Sequence, residues 1–216
     1  MVEIRTEPVG YSRTPLFGGA LTAEIPNVFK DMSNVRPIPD NQEVFASSVS
    51  DTNIIIELVE RLERDSEAAR VPLVRILGRE SVGNLSDDEL AVLAHMHDIC
   101  KANQERFELV EAPKLCTVQH IPEPSYLCKL KLVSRMVICD ASGTVRSHEK
   151  ATTAYIVLVR LVLQGTDILL HINVPQNEHV CNGDPDGPAG EEQKAKEILE
   201  RLLHTLRIVD YGLFGN

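Results

Sequence analysis

Along this chain the apolar positions change rhythm several times, and each rhythm predicts an element. From Asp51 to Arg64 the spacing fits a helix: at about 100° per residue, Ile54, Ile55, Leu58, Val59 and Leu62 gather on one face. Glu57, Glu60 and Arg64 then line the opposite face, with Ile56 beside Glu60 and off the core stripe. Ser86-Asp87-Asp88-Glu89 has capping-box spacing and opens a second helix that runs to about Gln104. A last helix runs from about Glu191 to Leu206, with Ala195, Ile198, Leu199, Leu202 and Leu206 as its core stripe.

Other stretches read as strands. Leu16 to Ile25 is the first, with Gly18-Gly19 allowing a twist or bulge and Pro26 ending it. Gln42 to Val49 is the second, after a loop or short turn over Phe29 to Pro39. Glu108 to His120 fits a strand, and Ile121-Pro122-Glu123-Pro124 reads as a stiff turn. Tyr126 to Asp140 alternates Leu127, Lys129 and Lys131 against Cys128, Leu130 and Leu132, the mark of a half-solvated strand. Thr152 to Leu163 is apolar on both faces and should be central and covered. Gln164-Gly165-Thr166 then turns the chain into Asp167 to Val174. Glu67 to Gly83 is ambiguous, interrupted by Pro72 and Gly78. This order of elements predicts an α+β domain with helices packed on an antiparallel sheet. Residues 1–15 lack periodicity and are expected to form a flexible arm, leaving 16–216 as a single domain.

Composition narrows the function. The 216 residues can bury a sizeable core, and 43% apolar with 25% charged residues is ordinary for a globular domain. A net charge of −10 works against nucleic acid and favours a basic partner surface. The five cysteines are scattered without a close pair, so reduced thiols are expected rather than a disulfide framework or zinc module. No apolar run reaches the length of a membrane span; the richest, Thr152 to Val174, is broken by Arg160, Gln164, Gly165 and Asp167.

Candidate chemistry is sparse. No G-x-x-x-x-G-K-[ST] string is present, so Gly18-Gly19 is no phosphate loop. On a helix His95 and His97 would point about 200° apart and could not share a metal ion. No titratable cluster suggests catalysis, and neither a catalytic residue, a metal nor a cofactor is expected. Two features stay open between a plain and a functional reading. Glu57 and Glu60 are either a solvated face, with Glu60 pairing Arg64, or an acidic stripe edged by Ile56 that docks a partner. Arg36 to Glu43 is either a turn in which Asp40 and Asn41 cap backbone groups, or a Pro-stiffened recognition loop.

Three strings carry a resemblance: L-F-G-G-A at 16–20, D-x-S-x-x-R-x-x-P-D-N-Q-E-V-F at 31–45, and I-I-x-E-L-x-E ending at Glu60. Together they closely resemble the Ran guanine-nucleotide release factor family, also called Mog-one. The late segment Thr166 to Pro175 and the stretch from Val209 to Phe214 are similar to that family as well. The resemblance implies a PsbP-like sandwich with a sheet of about six strands between helices. It implies binding of the GTPase Ran, release of its nucleotide, and a place in nuclear transport, in nucleus and cytoplasm. A monomer is expected, with a Ran co-regulator as a further candidate partner. Glu57 and Glu60 match the family's acidic Ran-binding residues, and Asp31, Arg36, Asp40 and Glu43 match the adjoining surface. The segment 64–125 does not follow the family pattern. The competing expectation is a ligand carrier or assembly subunit on the same scaffold, which would need an apolar chamber between sheet and helix.

Overall fold

Strands that are apolar on both faces need cover on both faces, and the architecture supplies it. The computed structural model describes residues 10–62, 67–139, 145–176 and 187–214. In chain order these form β1 (Tyr11–Leu16), β2 (Leu21–Pro26), β3 (Phe29–Asp31), β4 (Gln42–Ser47) and β5 (Asn53–Glu60). Then come α1 (Glu67–Leu77), α2 (Arg79–Gly83) and α3 (Asp87–Ala102). The second half holds β6 (Glu105–Val118), β7 (Ile121–Cys139), β8 (Val145–Leu161), β9 (Thr166–Pro175), α4 (Pro188–Thr205) and β10 (Arg207–Ile208). Seven strands make an antiparallel sheet in the order β3-β4-β5-β9-β8-β7-β6, and three make a smaller one, β1-β2-β10.

One face of the large sheet packs on α4 and the small sheet. Ile54, Ile56, Val157, Ile168 and Leu170 there meet Leu21 and Ile25 of β2 and Ala195, Leu199 and Leu202 of α4. On the other face Leu130, Ile156, Leu158 and Leu169 meet Leu73 of α1 and Leu90, Leu93 and Met96 of α3. The space a carrier would need beneath α4 is occupied by Leu16, Leu21, Ile56 and Leu161, each 0% exposed. No helix among the described residues is long and apolar enough to cross a membrane.

Within the segment expected to be a helix from Asp51 to Arg64, Asn53–Glu60 is instead strand β5, paired with β4 and β9. Alternation explains its pattern: Ile54, Ile56 and Leu58 join the α4-side core, while Val59 joins the α3-side core. A strand covered on both faces is nearly continuously apolar, so a helical stripe can be drawn through it by accident. The β-branched run Ile54-Ile55-Ile56 is the local signal for the strand. Arg64, the expected partner of Glu60, lies outside the described residues.

Smaller differences follow from pairing. The first expected strand is a hairpin, β1 and β2, and Tyr11 to Pro15 of the expected arm belong to it. Ile121 to Pro124 begin β7 rather than forming a turn. Within the segment 64–125, α1 to α3 cover one face of the sheet, while β6 and the start of β7 extend the sheet itself. Ser86 caps α3 with a full capping box, as the spacing requires.

A buried polar node fastens the α3 layer to the sheet. Arg160 of β8 and Asp167 of β9 sit opposite each other in register and are 2% and 0% exposed. The Arg160 Nε donates to Asp167 Oδ1 at 3.1 Å, and Nη1 to Asp88 Oδ1 of α3 at 2.7 Å. Nη2 donates to the Leu62 carbonyl at 2.5 Å, and the Leu62 N–H returns a bond to Asp167 Oδ2 at 3.3 Å. His95 of α3 approaches the same Oδ2 at 2.8 Å, and the Tyr126 hydroxyl donates to Asp88 at 3.1 Å. A buried charge stripped of its partner is expensive. Arg160→Met should therefore cost about 3–5 kcal/mol in urea unfolding at neutral pH. A loss below about 1 kcal/mol would mean the node contributes little.

His171 lies buried on the same face, with its Nε2 unpartnered. Desolvation first, and His95 second, lower its pKa to about 4. The unfolded chain takes up this proton near the ordinary histidine value, so the unfolded state is favoured as pH falls. The stability at stake is intact above about 6.5 and is lost on the way down to about 4. Stability measured from pH 7 to 4 should therefore fall less steeply in His171→Leu than in the wild type, by up to about 1.4 kcal/mol per pH unit. Parallel profiles would remove this assignment.

Candidate functional site

The residues singled out in the sequence meet along the β3-β4-β5 edge of the large sheet, held by a dense set of local hydrogen bonds. Asp31 ends β3, and its Oδ1 accepts the Ser33 N–H at 2.8 Å, starting a 3-10 turn. The backbone N–H groups of Val35 and Arg36 both reach the Met32 carbonyl at 3.0 Å. The Gln42 N–H donates to the Pro39 carbonyl at 2.9 Å, closing a four-residue turn over Pro39 to Gln42. Asn41 locks this turn to β5: its Nδ2 donates to the Leu58 carbonyl at 3.0 Å, and its own carbonyl accepts the Leu58 N–H at 2.9 Å. The loop is thus both a local turn and a Pro-stiffened projection.

Glu43 links the two earliest motifs. Its Oε1 accepts the Phe17 N–H at 2.5 Å. That turn carries three consecutive positive φ values, +49° at Phe17, +65° at Gly18 and +97° at Gly19. Glycine is the residue that tolerates such a path, which explains the paired glycines. The Ala20 carbonyl then accepts the N–H groups of Val209 and Asp210, at 2.8 and 3.1 Å. The C-terminal segment is therefore tied to the same turn.

The strand geometry redistributes the expected acidic stripe. Residues three apart on a strand face opposite ways, so Glu57 and Glu60 do not share a face. Glu57 sits opposite Gln42, whose Nε2 donates to its Oε1 at 2.8 Å. Glu60 is exposed at the strand end. Ile56 is 0% exposed and lies in the core, so it is no surface contact. Arg36 and Asp40 are exposed, whereas Asp31, Glu43 and Glu57 are half-buried and carry internal bonds. The register Gln42 to Glu57 and the Asn41–Leu58 bonds bring the turn bearing Asp40 alongside the strand end bearing Glu60.

Desolvation raises the Cys100 and Cys128 thiols to about 12 and the Cys116 thiol to about 11, far from the thiolate a nucleophile needs. His95 turns inward to Asp167, while His97 meets exposed Asp98 at 3.1 Å, so the two histidines diverge.

Fold and edge together define an α+β sandwich whose seven-stranded sheet presents an acidic margin. The family model for the Ran-interacting Mog1 protein matches residues 14–175. The chain is similar to the nuclear import protein mog1 of Schizosaccharomyces pombe, 54% identical over 210 residues and spanning 93% of this chain and 98% of that one. It is also similar to the Ran guanine nucleotide release factor of Homo sapiens, 40% identical over 204 residues, covering 93% and 95%. The crystal structure of the Saccharomyces cerevisiae Ran-binding protein Mog1p superposes with a TM-score of 0.58 at 19% identity, covering 96% of this chain and all of that one. A cyanobacterial PsbP from Synechocystis superposes at 0.51 and 10% identity, covering 94% and 95%, which bears out the PsbP-like fold. The chain belongs to the Ran-interacting Mog1 protein family.

The internal bonds separate the edge residues experimentally. Glu43→Ala leaves the Phe17 N–H without its carboxylate and should lower unfolding stability by about 1–3 kcal/mol. Asp40→Ala and Glu60→Ala, both on exposed side chains, should stay within about 0.5 kcal/mol of the parent. Equal effects from all three in thermal or urea unfolding would contradict the structural role given to Glu43.

Proposed function

We propose that this chain binds the GTPase Ran and promotes release of its guanine nucleotide, in the service of nuclear protein transport. The observation that carries this reading is the charge of the β3-β4-β5 edge, which lies within the stretch matched by the family model. Asp31, Asp40, Glu43, Glu57 and Glu60 there stand against two cations, Arg36 and Lys30 of β3. Such an edge complements a basic surface on a partner. Asp40 and Glu60 are its contact residues, with Arg36 beside them, because their side chains are exposed. Asp31, Glu43 and Glu57 shape the edge through their internal bonds.

The reaction asks for no covalent step. A regulator ejects a nucleotide when it binds the empty GTPase more tightly than the loaded one, and the nucleotide weakens the regulator by the same factor. A rigid edge suits this task, since less entropy is lost on docking. The chain acts as a monomer, in nucleus and cytoplasm.

Release of fluorescent GTP from Ran tests the reading directly. The wild-type chain should accelerate release and bind nucleotide-free Ran more tightly than loaded Ran. Asp40→Lys with Glu60→Lys should weaken binding at least about tenfold, equivalent to about 1.4 kcal/mol, while the unfolding midpoint stays near the parent. A wild-type chain that neither binds Ran nor speeds release ends the proposal. Parent-like affinity in the folded double variant removes the edge from it.

A further inference from the structure

On the outer face of the small sheet lies a cleft of about 230 Å³ with the opposite charge to the acidic edge. Arg13 of β1 and Arg207 of β10 line it from the sheet, Arg201 and His204 from the last turns of α4, and His120 from the β6–β7 connection. The one carboxylate lining it, Glu24, is already engaged: it takes the Arg201 Nε at 2.6 Å, and Arg201 also lies over the Tyr11 ring at 5.3 Å. Among the described residues no carboxylate pairs with Arg13 or Arg207. Arg13 reaches only the Thr22 hydroxyl, at 3.3 Å. Arg207 Nη2 meets His120 Nε2 at 2.8 Å. A guanidinium can only donate, so His120 must accept through its lone pair and is neutral in this arrangement. Desolvation first, then the charges of Arg207 and His204, hold the His120 pKa below its ordinary value.

The negative end of the α4 dipole favours cations and accounts for Arg201 and His204. It does not account for Arg207 of β10, nor for Arg13, which stands opposite Glu24 in the β1–β2 register without forming an ion pair with it. Two guanidiniums without acid partners, facing one small cleft in a chain of net charge −10, call for an anion. Their planar forks match tetrahedral phosphate oxygens, and the cleft's size suits one such group rather than an extended polyanion. We propose that this cleft is a phosphate-binding site, holding a free phosphate or phosphate monoester between Arg13 and Arg207. Arg207 turns from His120 to the anion, and the vacated His120 Nε2 can then bind a proton and donate to the same group.

The test is an NMR titration of the full chain at constant ionic strength with inorganic phosphate, O-phosphoserine and, as a carboxylate control, succinate. Saturable shifts centred on Arg13, His120, His204, Thr205 and Arg207 with either phosphate ligand are expected. They should need at least about tenfold more ligand in Arg13→Gln, and more again in Arg13→Gln with Arg207→Gln. Tighter saturation by O-phosphoserine than by inorganic phosphate identifies a phosphate monoester as the ligand, and the reverse identifies the free ion. Shifts that grow linearly without saturation, that survive unchanged in the folded variants, or that succinate reproduces at equal concentration overturn the proposal.

Discussion

The ion pair between Arg160 and Asp167 is the constraint on which the layering of this molecule depends. Two opposite charges sit side by side on neighbouring central strands, almost without solvent. Such a pair is tolerated only if its remaining hydrogen-bonding capacity is filled. Here Asp88 and His95 of α3, and the backbone of Leu62 just beyond β5, fill it. The requirement therefore fixes where α3 lies and where the chain leaves β5. It also explains why the apolar run of β8 and β9 tolerates an arginine and an aspartate. Each would be costly alone, and register places them face to face.

A second, smaller constraint organises the edge that the family motifs mark. The carboxylate of Glu43 holds the Phe17 N–H at the start of a turn with three successive positive φ values. That turn in turn receives Val209 and Asp210. The L-F-G-G-A and P-D-N-Q-E-V-F strings and the C-terminal segment are thus one assembly. Several of its acids are structural: Asp31 caps a turn, Glu57 pairs with Gln42, and Glu43 anchors the hairpin. Asp40 and Glu60 are the acids left facing outward. A string of polar residues can be specific because the fold uses it as well as because a partner does.

The molecule is electrostatically divided. Its acidic margin lies on β3 to β5, while the outer face of β1-β2-β10 gathers arginine and histidine around Glu24. Net charge alone conceals this division, since an excess of acid over the whole chain says nothing about a local patch of the other sign.

Much was legible in the sequence because its signals were local. The capping box at Ser86, the Gly165 turn with φ +61°, the doubly apolar strand expected over Thr152 to Leu163, which ends at Leu161, and the stripe of α4 each depend on neighbours in the chain. The family strings were equally local, and they led to the right family and to the sandwich fold. What the sequence could not determine was anything set by partners distant along the chain. Asn53 to Glu60 scans as an amphipathic helix, and only pairing with β4 and β9 makes it a strand. That change sends Glu57 and Glu60 to opposite faces and buries Ile56. The residues were therefore readable in advance, but the direction each one faces came from the sheet, because a strand's period of two is enforced by its neighbours' hydrogen bonds.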